Sequence, residues 1–237
     1  MKHKIAVFYN IGQSDNDSWW EGEFYLKQIN RLKNSGLYDH IDFIDIFVHG
    51  DDLLPFYPDK TRNIVYNKSA NFFNLHIYEF CKQNPEYKVF QFHSLGVSWQ
   101  NSFHEESKQA FRDYLEFFNI DQWELCVKAL NTFDCAGIDL VPNAVYYNEA
   151  GEISENFSAP HYQGGFWWAR ADYVSKLDPT YLDQDVRYKR YLNELWLFTK
   201  HPHYFNFYSS FVNHYLEVIR VDYESILNQC TEFLNNQ

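Results

Sequence analysis

Short apolar runs alternate with amphipathic stretches over the first hundred residues, and no other feature constrains the fold as much. Ile5 to Tyr9 is an apolar run that ends in Asn10-Ile11-Gly12. Ser18-Trp19-Trp20-Glu21 then has the spacing of a capping box, in which serine and glutamate side chains satisfy the free amides of a helix start, and it predicts a helix reaching Ser35-Gly36. Ile41 to His49 alternates apolar and polar at first and then turns uniformly apolar, as a strand entering a covered sheet does, and stops at Gly50. Beyond the Pro55 and Pro58 loop come a short run, Asn63 to Tyr66, and a helix from Ser69 to Asn84 with Phe73, Ile77 and Phe80 on one face, ended by Pro85. Tyr87 to His93 is the next strand and Ser94 to Ser98 the loop leaving it. The order β-α-β-β-α-β predicts a three-layer α/β/α sandwich around a mostly parallel sheet.

The rest of the chain reads as a pair of helices, Glu105 to Phe118 and Gln122 to Leu130, the second opened by Asp121 with Glu124 three residues on. Phe133 to Val141 and the region of Trp167 predict further strands, Ala171 to Leu177 a short helix and Arg187 to Phe198 a longer one. Tyr204 to Phe211 and Leu216 to Val221 read as strands before a final helix, Tyr223 to Leu234. No repeat or linker divides the sequence, so its 237 residues are expected to form one domain.

Composition narrows the partners. Twenty Lys plus Arg against 32 Asp plus Glu give a formal charge of -12, which repels nucleic-acid backbones and anionic lipid over most of the surface. The N-terminal apolar run is too short for a signal peptide, and no segment has transmembrane length. Cys81, Cys126, Cys135 and Cys230 are spread without paired spacing, so reduced, buried thiols and a cytoplasmic setting are expected.

In open α/β sheets ligands sit outside the carboxyl ends of the strands, which here are Tyr9-Asn10, His49 to Asp52, and His93 to Gly96. A second tract with ligand character is His161-Tyr162-Gln163-Gly164-Gly165-Phe166-Trp167-Trp168-Ala169-Arg170. Its glycines let backbone come close to a phosphate or hydroxyl, and indole faces suit the apolar face of a pyranose; a turn packed on a core would have the same composition. On a strand Trp167 and Trp168 would point to opposite faces, one toward the site and one toward the core.

These segments together resemble the small GT-A-fold glycosyltransferases that build surface glycans in bacteria and large DNA viruses. The likeness is carried by Leu32 to Tyr38, Phe92 to Ser98, Tyr114 to Trp123, Asp134 to Gly137, the His161 to Ala169 tract, and Arg190 to Trp196. It implies a GT-A-like sandwich around a mixed, mostly parallel sheet, with residues 1–100 as the nucleotide-binding half and residues 101–237 as the acceptor side. The implied activity moves a sugar from a nucleotide-diphosphate donor, UDP being the commonest carrier, to a hydroxyl of a glycan acceptor. Glu194, four residues after Arg190, is then the candidate base, and Arg190, His161, Trp167 and Trp168 the candidate substrate contacts. Tyr9, Asn10, His93, Ser94, Gly96, Gly164 and Gly165 are the candidate donor contacts. A divalent cation, Mn²⁺ or Mg²⁺, is expected on an Asp-x-Asp motif, but that position reads His93-Ser94-Leu95; Asp51, Asp52, Asp134, Asp139 and the His201-Pro202-His203 pair stand as alternative ligands, and the backbone around Gly96 as a metal-free phosphate cradle. The same departure leaves open a non-catalytic carbohydrate-binding or scaffold protein, and a nucleotide-binding hydrolase.

Overall fold

Strand β1, Ile5–Gly12, sits inside a sheet of seven strands, paired in parallel with β2, Phe43–His49, on one side and with β4, Lys88–His93, on the other. The computed structural model describes residues 3–12, 24–49, 54, 56–66, 70–94, 105–147, 153–183, 192–212, 214 and 217–237. The sheet is completed by β3 (Thr61–Tyr66), β5 (Cys135–Gly137), β8 (Trp167–Arg170) and β9 (Tyr204–Asn206), in the order β3-β2-β1-β4-β8-β5-β9. Strand β8 runs antiparallel between β4 and β5, and β9 closes the edge parallel to β5. A separate antiparallel hairpin is formed by β6 (Leu140–Tyr147) and β7 (Ile153–Tyr162).

The period of two along β1 sorts its side chains between two cores. Ile5, Val7, Tyr9 and Ile11 enter one, and Ala6 and Phe8 the other. The first core is covered by α1 (Phe24–Asn34), α2 (Leu37–His40), α4 (Glu105–Glu116), α5 (Trp123–Ala129) and α8 (Tyr223–Asn235). The second is covered by α3 (Ala70–Gln83), α6 (Ala171–Val174) and α7 (Leu192–Leu195). Helices on both faces of a mixed, mostly parallel sheet make the expected three-layer α/β/α sandwich.

Aromatic content has a definite structural use here. Tyr25, Tyr9, Phe92, Phe90 and Trp168 form a run of near-parallel rings, with successive centroids 5.8, 4.2, 5.1 and 4.7 Å apart. Such pairs are worth roughly 0.5–1.5 kcal/mol each beyond their burial, so the run ties α1, β1, β4 and β8 together at the level of the strand ends.

Several boundaries differ from expectation for physical reasons. A π-helical turn, Phe117–Asp121, carries α4 almost directly into α5. The run from Phe133 to Val141 is broken after β5 because Asp139 adopts a left-handed φ of 59° and turns the chain into the hairpin. The strand expected from Tyr204 to Phe211 ends at Asn206, and residues 217–221 form no strand. There Asp139 captures the chain through Ser210, whose amide and hydroxyl each donate to Oδ1 at 2.8 Å, and through His214, which bonds Oδ2. Within Arg187 to Phe198 the described part is the short α7 followed by a 3-10 turn, Trp196–Phe198. Among the described residues no helix is long and apolar enough to cross a membrane.

Candidate functional site

The carboxyl ends of β1 and β4 are locked in register by two hydrogen bonds. The Ser94 amide donates to the Asn10 carbonyl at 3.0 Å, and the Gly12 amide donates to Ser94 Oγ at 2.9 Å. Asn10 and His93 are register partners, so both side chains emerge on the same face of the sheet, the face that α3 covers.

Over that face lies the turn Gln163–Gly165, in which Gly164 and Gly165 both have left-handed φ values of 73° and 64°. A Cβ at Gly165 would stand 3.3 Å from Cδ2 and Nε2 of His93, tighter than ordinary contact. Glycine is therefore required twice at this position, for its backbone conformation and for its closeness to the imidazole. Gln91 Nε2 reaches up to the Gly165 carbonyl at 3.4 Å.

Beside the turn stands α7, which packs on β7, on the glycine turn and on α3. It is fixed to α3 where Asn74 Nδ2 donates to the Asn193 carbonyl at 3.1 Å. This places Glu194 beside the end of β7, where its Oε2 lies 3.9 Å from Nε2 of the buried His161. A one-third-exposed carboxylate next to an imidazole can orient the ring and balance the charge that the ring gains when it takes a proton.

On the opposite face of the sheet a buried polar network underlies the same strand ends. Gln28 accepts from the Tyr9 hydroxyl, and its Nε2 donates to Glu116 Oε1 at 2.7 Å and to the His93 carbonyl at 3.4 Å. Burial pushes the Glu116 carboxyl up, and the Arg31 guanidinium, at 2.8 Å from Oε2, opposes that shift. Arg31 also forks onto Asp121 at 3.0 and 2.6 Å, which ties α1 to the π-helical turn.

Of the candidate residues, Asn10, His93 and Ser94 lie at the strand ends, Gly164 and Gly165 in the turn beside His93, and His161 and Glu194 at the end of β7 and on α7. Tyr9 does not join them: it is fully buried between Tyr25 and Phe92, with its hydroxyl spent on Gln28. Trp167 and Trp168 do point to opposite faces, but both faces are core, so neither indole lines the site. Trp168 stacks on Phe90 and donates Nε1 to the Asn119 carbonyl at 2.9 Å. Gly96, Arg190, Leu95, Asp51 and Asp52 lie outside the described residues.

Two of the alternative cation ligands are already engaged. Asp134 bonds Arg170 at 2.8 Å and accepts from the His203 amide at 2.8 Å, and Asp139 is fully buried on Ser210 and His214. Among the described residues no group of three His, Cys, Asp or Glu side chains is placed to hold a metal ion, so those residues do not fit the expected cation.

Sequence reasoning missed Gln91, Gln28 and Asn74. Gln91 had a readable signal, since it interrupts the buried run Val89-Phe90-Gln91-Phe92. Gln28 and Asn74 had none, because each is one polar residue in an amphipathic helix.

No protein-family model matches this sequence, and no curated protein matches it. Among solved structures it is similar to 4-diphosphocytidyl-2C-methyl-D-erythritol synthase from Anaerococcus prevotii, at 12% identity over 98% of this chain and 99% of that one, with a TM-score of 0.45. It is similar also to HddC from Yersinia pseudotuberculosis, at 11% identity over 96% and 99% and a TM-score of 0.44. A third is 2-C-methyl-D-erythritol 4-phosphate cytidylyltransferase from Francisella tularensis, at 12% identity over 96% and 99% and a TM-score of 0.39. The expectation of glycosyl transfer to a glycan is corrected: the indoles that were to stack on a sugar are enclosed in the core.

Proposed function

We propose that the crevice at the ends of β1 and β4 binds a nucleotide and that the chain is a nucleotidyltransferase. The observation that carries this reading is the contact of Gly165 with His93 at the carboxyl ends of two parallel strands, beside the His161 and Glu194 pair. Backbone with no side chain and two imidazoles stand near the carboxyl ends of the strands, where ligands bind in open sheets of this type.

In the proposed reaction an acceptor oxygen attacks the α-phosphorus of a nucleoside triphosphate. The new P–O bond forms as the bond to the leaving pyrophosphate breaks, and His161 takes the acceptor's proton while Glu194 balances the charge that the ring gains. His93 faces the phosphate oxygens and offers a donor to the charge that grows there. No step is assigned to a cation.

Pyrophosphate release from each nucleoside triphosphate, with and without a panel of phosphorylated and hydroxylated acceptors, tests this reading. Acceptor-dependent release that is lost in Glu194→Gln supports it. Nucleotide binding without release under any condition contradicts the transfer step.

A further inference from the structure

The peptide unit that joins His93 to Ser94 is held at both of its polar atoms. Its N–H, on Ser94, donates to the Asn10 carbonyl at 3.0 Å, and its carbonyl, on His93, accepts from Gln28 Nε2 at 3.4 Å. The second bond is not part of the sheet. The last pair that β4 makes with β8 is Gln91 with Trp167, so the ladder on that side stops short of His93. Gln28, buried on α1, supplies the donor that the ladder does not.

The direction of the Gln28 amide is dictated by its surroundings. A carbonyl can only accept, so Nε2 must face His93, and Oε1 then faces the Tyr9 hydroxyl, which donates to it. The other N–H of Nε2 goes to Glu116 Oε1 at 2.7 Å, and Glu116 Oε2 accepts from Arg31 at 2.8 Å. Arg31 is anchored in turn by its fork onto Asp121. The amide that meets His93 is therefore fixed on its remaining sides, within a core where such a network is rigid.

We infer that Gln28 is a positioning residue for His93; the inference rests on the nucleotide reading above. A planar peptide unit held at both ends fixes the backbone torsion of His93 and with it the direction of its Cα–Cβ bond. The imidazole has little room to compensate for a turn of that bond, because Gly165 stands against it and the Phe166 ring lies 5.5 Å away between centroids. Tyr9, expected from the sequence to touch the donor, acts instead at one remove, by orienting the amide that holds His93. Without Gln28 the His93 carbonyl is released, and the ring no longer meets the phosphate oxygens in one orientation.

Gln28→Met keeps the length of the side chain and removes its amide, whereas Ile29→Val loosens the same core without touching the network. Histidine side-chain NMR of the free proteins, and calorimetric titration with ATP, CTP, GTP and UTP, compare both with wild type. In Gln28→Met the His93 ring signals are expected to move while those of His76 and His214 stay. Its affinity for whichever of the four nucleotides wild type binds should fall about ten-fold or more. Ile29→Val is expected to lower the melting temperature and to change neither readout. Should Gln28→Met fail to fold, Tyr9→Phe removes only the hydroxyl that orients the amide, and both readouts should move in the same direction. A folded variant that binds as wild type does, or that binds less tightly with its His93 signals unmoved, overturns the positioning role and leaves the nucleotide reading standing. Binding of none of the four by wild type overturns the nucleotide reading instead, and the inference with it.

Discussion

The Nε2 of His161 stands 3.9 Å from Oε2 of Glu194, joining the end of the long strand β7 to the four-residue helix α7 across one wall of the crevice. The helix is too short to be stable alone and is held by its packing on β7, the glycine turn and α3, so the pair reports on the assembled wall and not on local sequence.

Glu194→Gln is expected to lower the transfer rate by about 10²-fold or more while changing stability by no more than about 0.5 kcal/mol, since its side chain is one-third exposed. Initial rates together with urea melts separate the two effects. A rate loss accompanied by an equal loss of fold would remove Glu194 from the chemistry.

Glycine substitutions discriminate between backbone strain and crowding of the site. Gly36 has φ 78° and no atom within 4 Å of a built Cβ, so Gly36→Ala should cost about 1–2 kcal/mol from conformation alone. Gly165→Ala carries the same strain and also presses on His93, so it should weaken nucleotide binding by an order of magnitude or more. Thermal melts and titrations of both variants check this; a Gly165→Ala protein that binds as wild type does would separate the turn from the ligand.

Asp45 makes stability depend on acid. It is fully buried on β2; burial raises its pKa, but hydrogen bonds from His76, Arg62 and Asn63 and the Arg62 charge outweigh this and hold it below the usual 3.8. A depressed folded-state pKa contributes stability that is fully present above the unfolded value and lost as pH falls through the folded one. Asp45→Asn should therefore cost about 3 kcal/mol at neutral pH, and the gap between variant and wild type should narrow as pH falls below the unfolded value. Urea midpoints from pH 7 to pH 2 measure this, and a gap that stays constant would contradict it.

Asp139 anchors the chain after β9. Asp139→Ala removes the acceptor for Ser210 and leaves His214, stacked on Phe111 at 3.9 Å, buried without its carboxylate. The expected cost is about 3 kcal/mol, with faster amide exchange at residues 208–210. Exchange confined to its wild-type rate there would show that other contacts hold this segment.

The first hundred residues were legible because β1 and β4 are buried apolar runs and the helices are amphipathic, which leaves two distinct periods in the sequence. The helix expected from Ser69 to Asn84 is found over Ala70–Gln83 among the described residues. The second half was less legible because its geometry is set at a distance. Asp139 ends one strand and captures Ser210 seventy-one positions later, a pairing that no local pattern announces. The hairpin of β6 and β7 was not expected from the sequence. Gly165 packs beside His93 on a distant strand, a closeness that no local pattern announces, and Trp167 and Trp168 misled because an aromatic platform and an aromatic core have the same sequence.

Histidine side-chain NMR during titration with a nucleoside triphosphate tests the central claim most directly. The account predicts that His93 and His161 shift together and saturate with the ligand, while His76, bound to Asp45, and His214, bound to Asp139, stay unmoved. Saturable binding that leaves the His93 and His161 signals unchanged, or no binding at all, would contradict it.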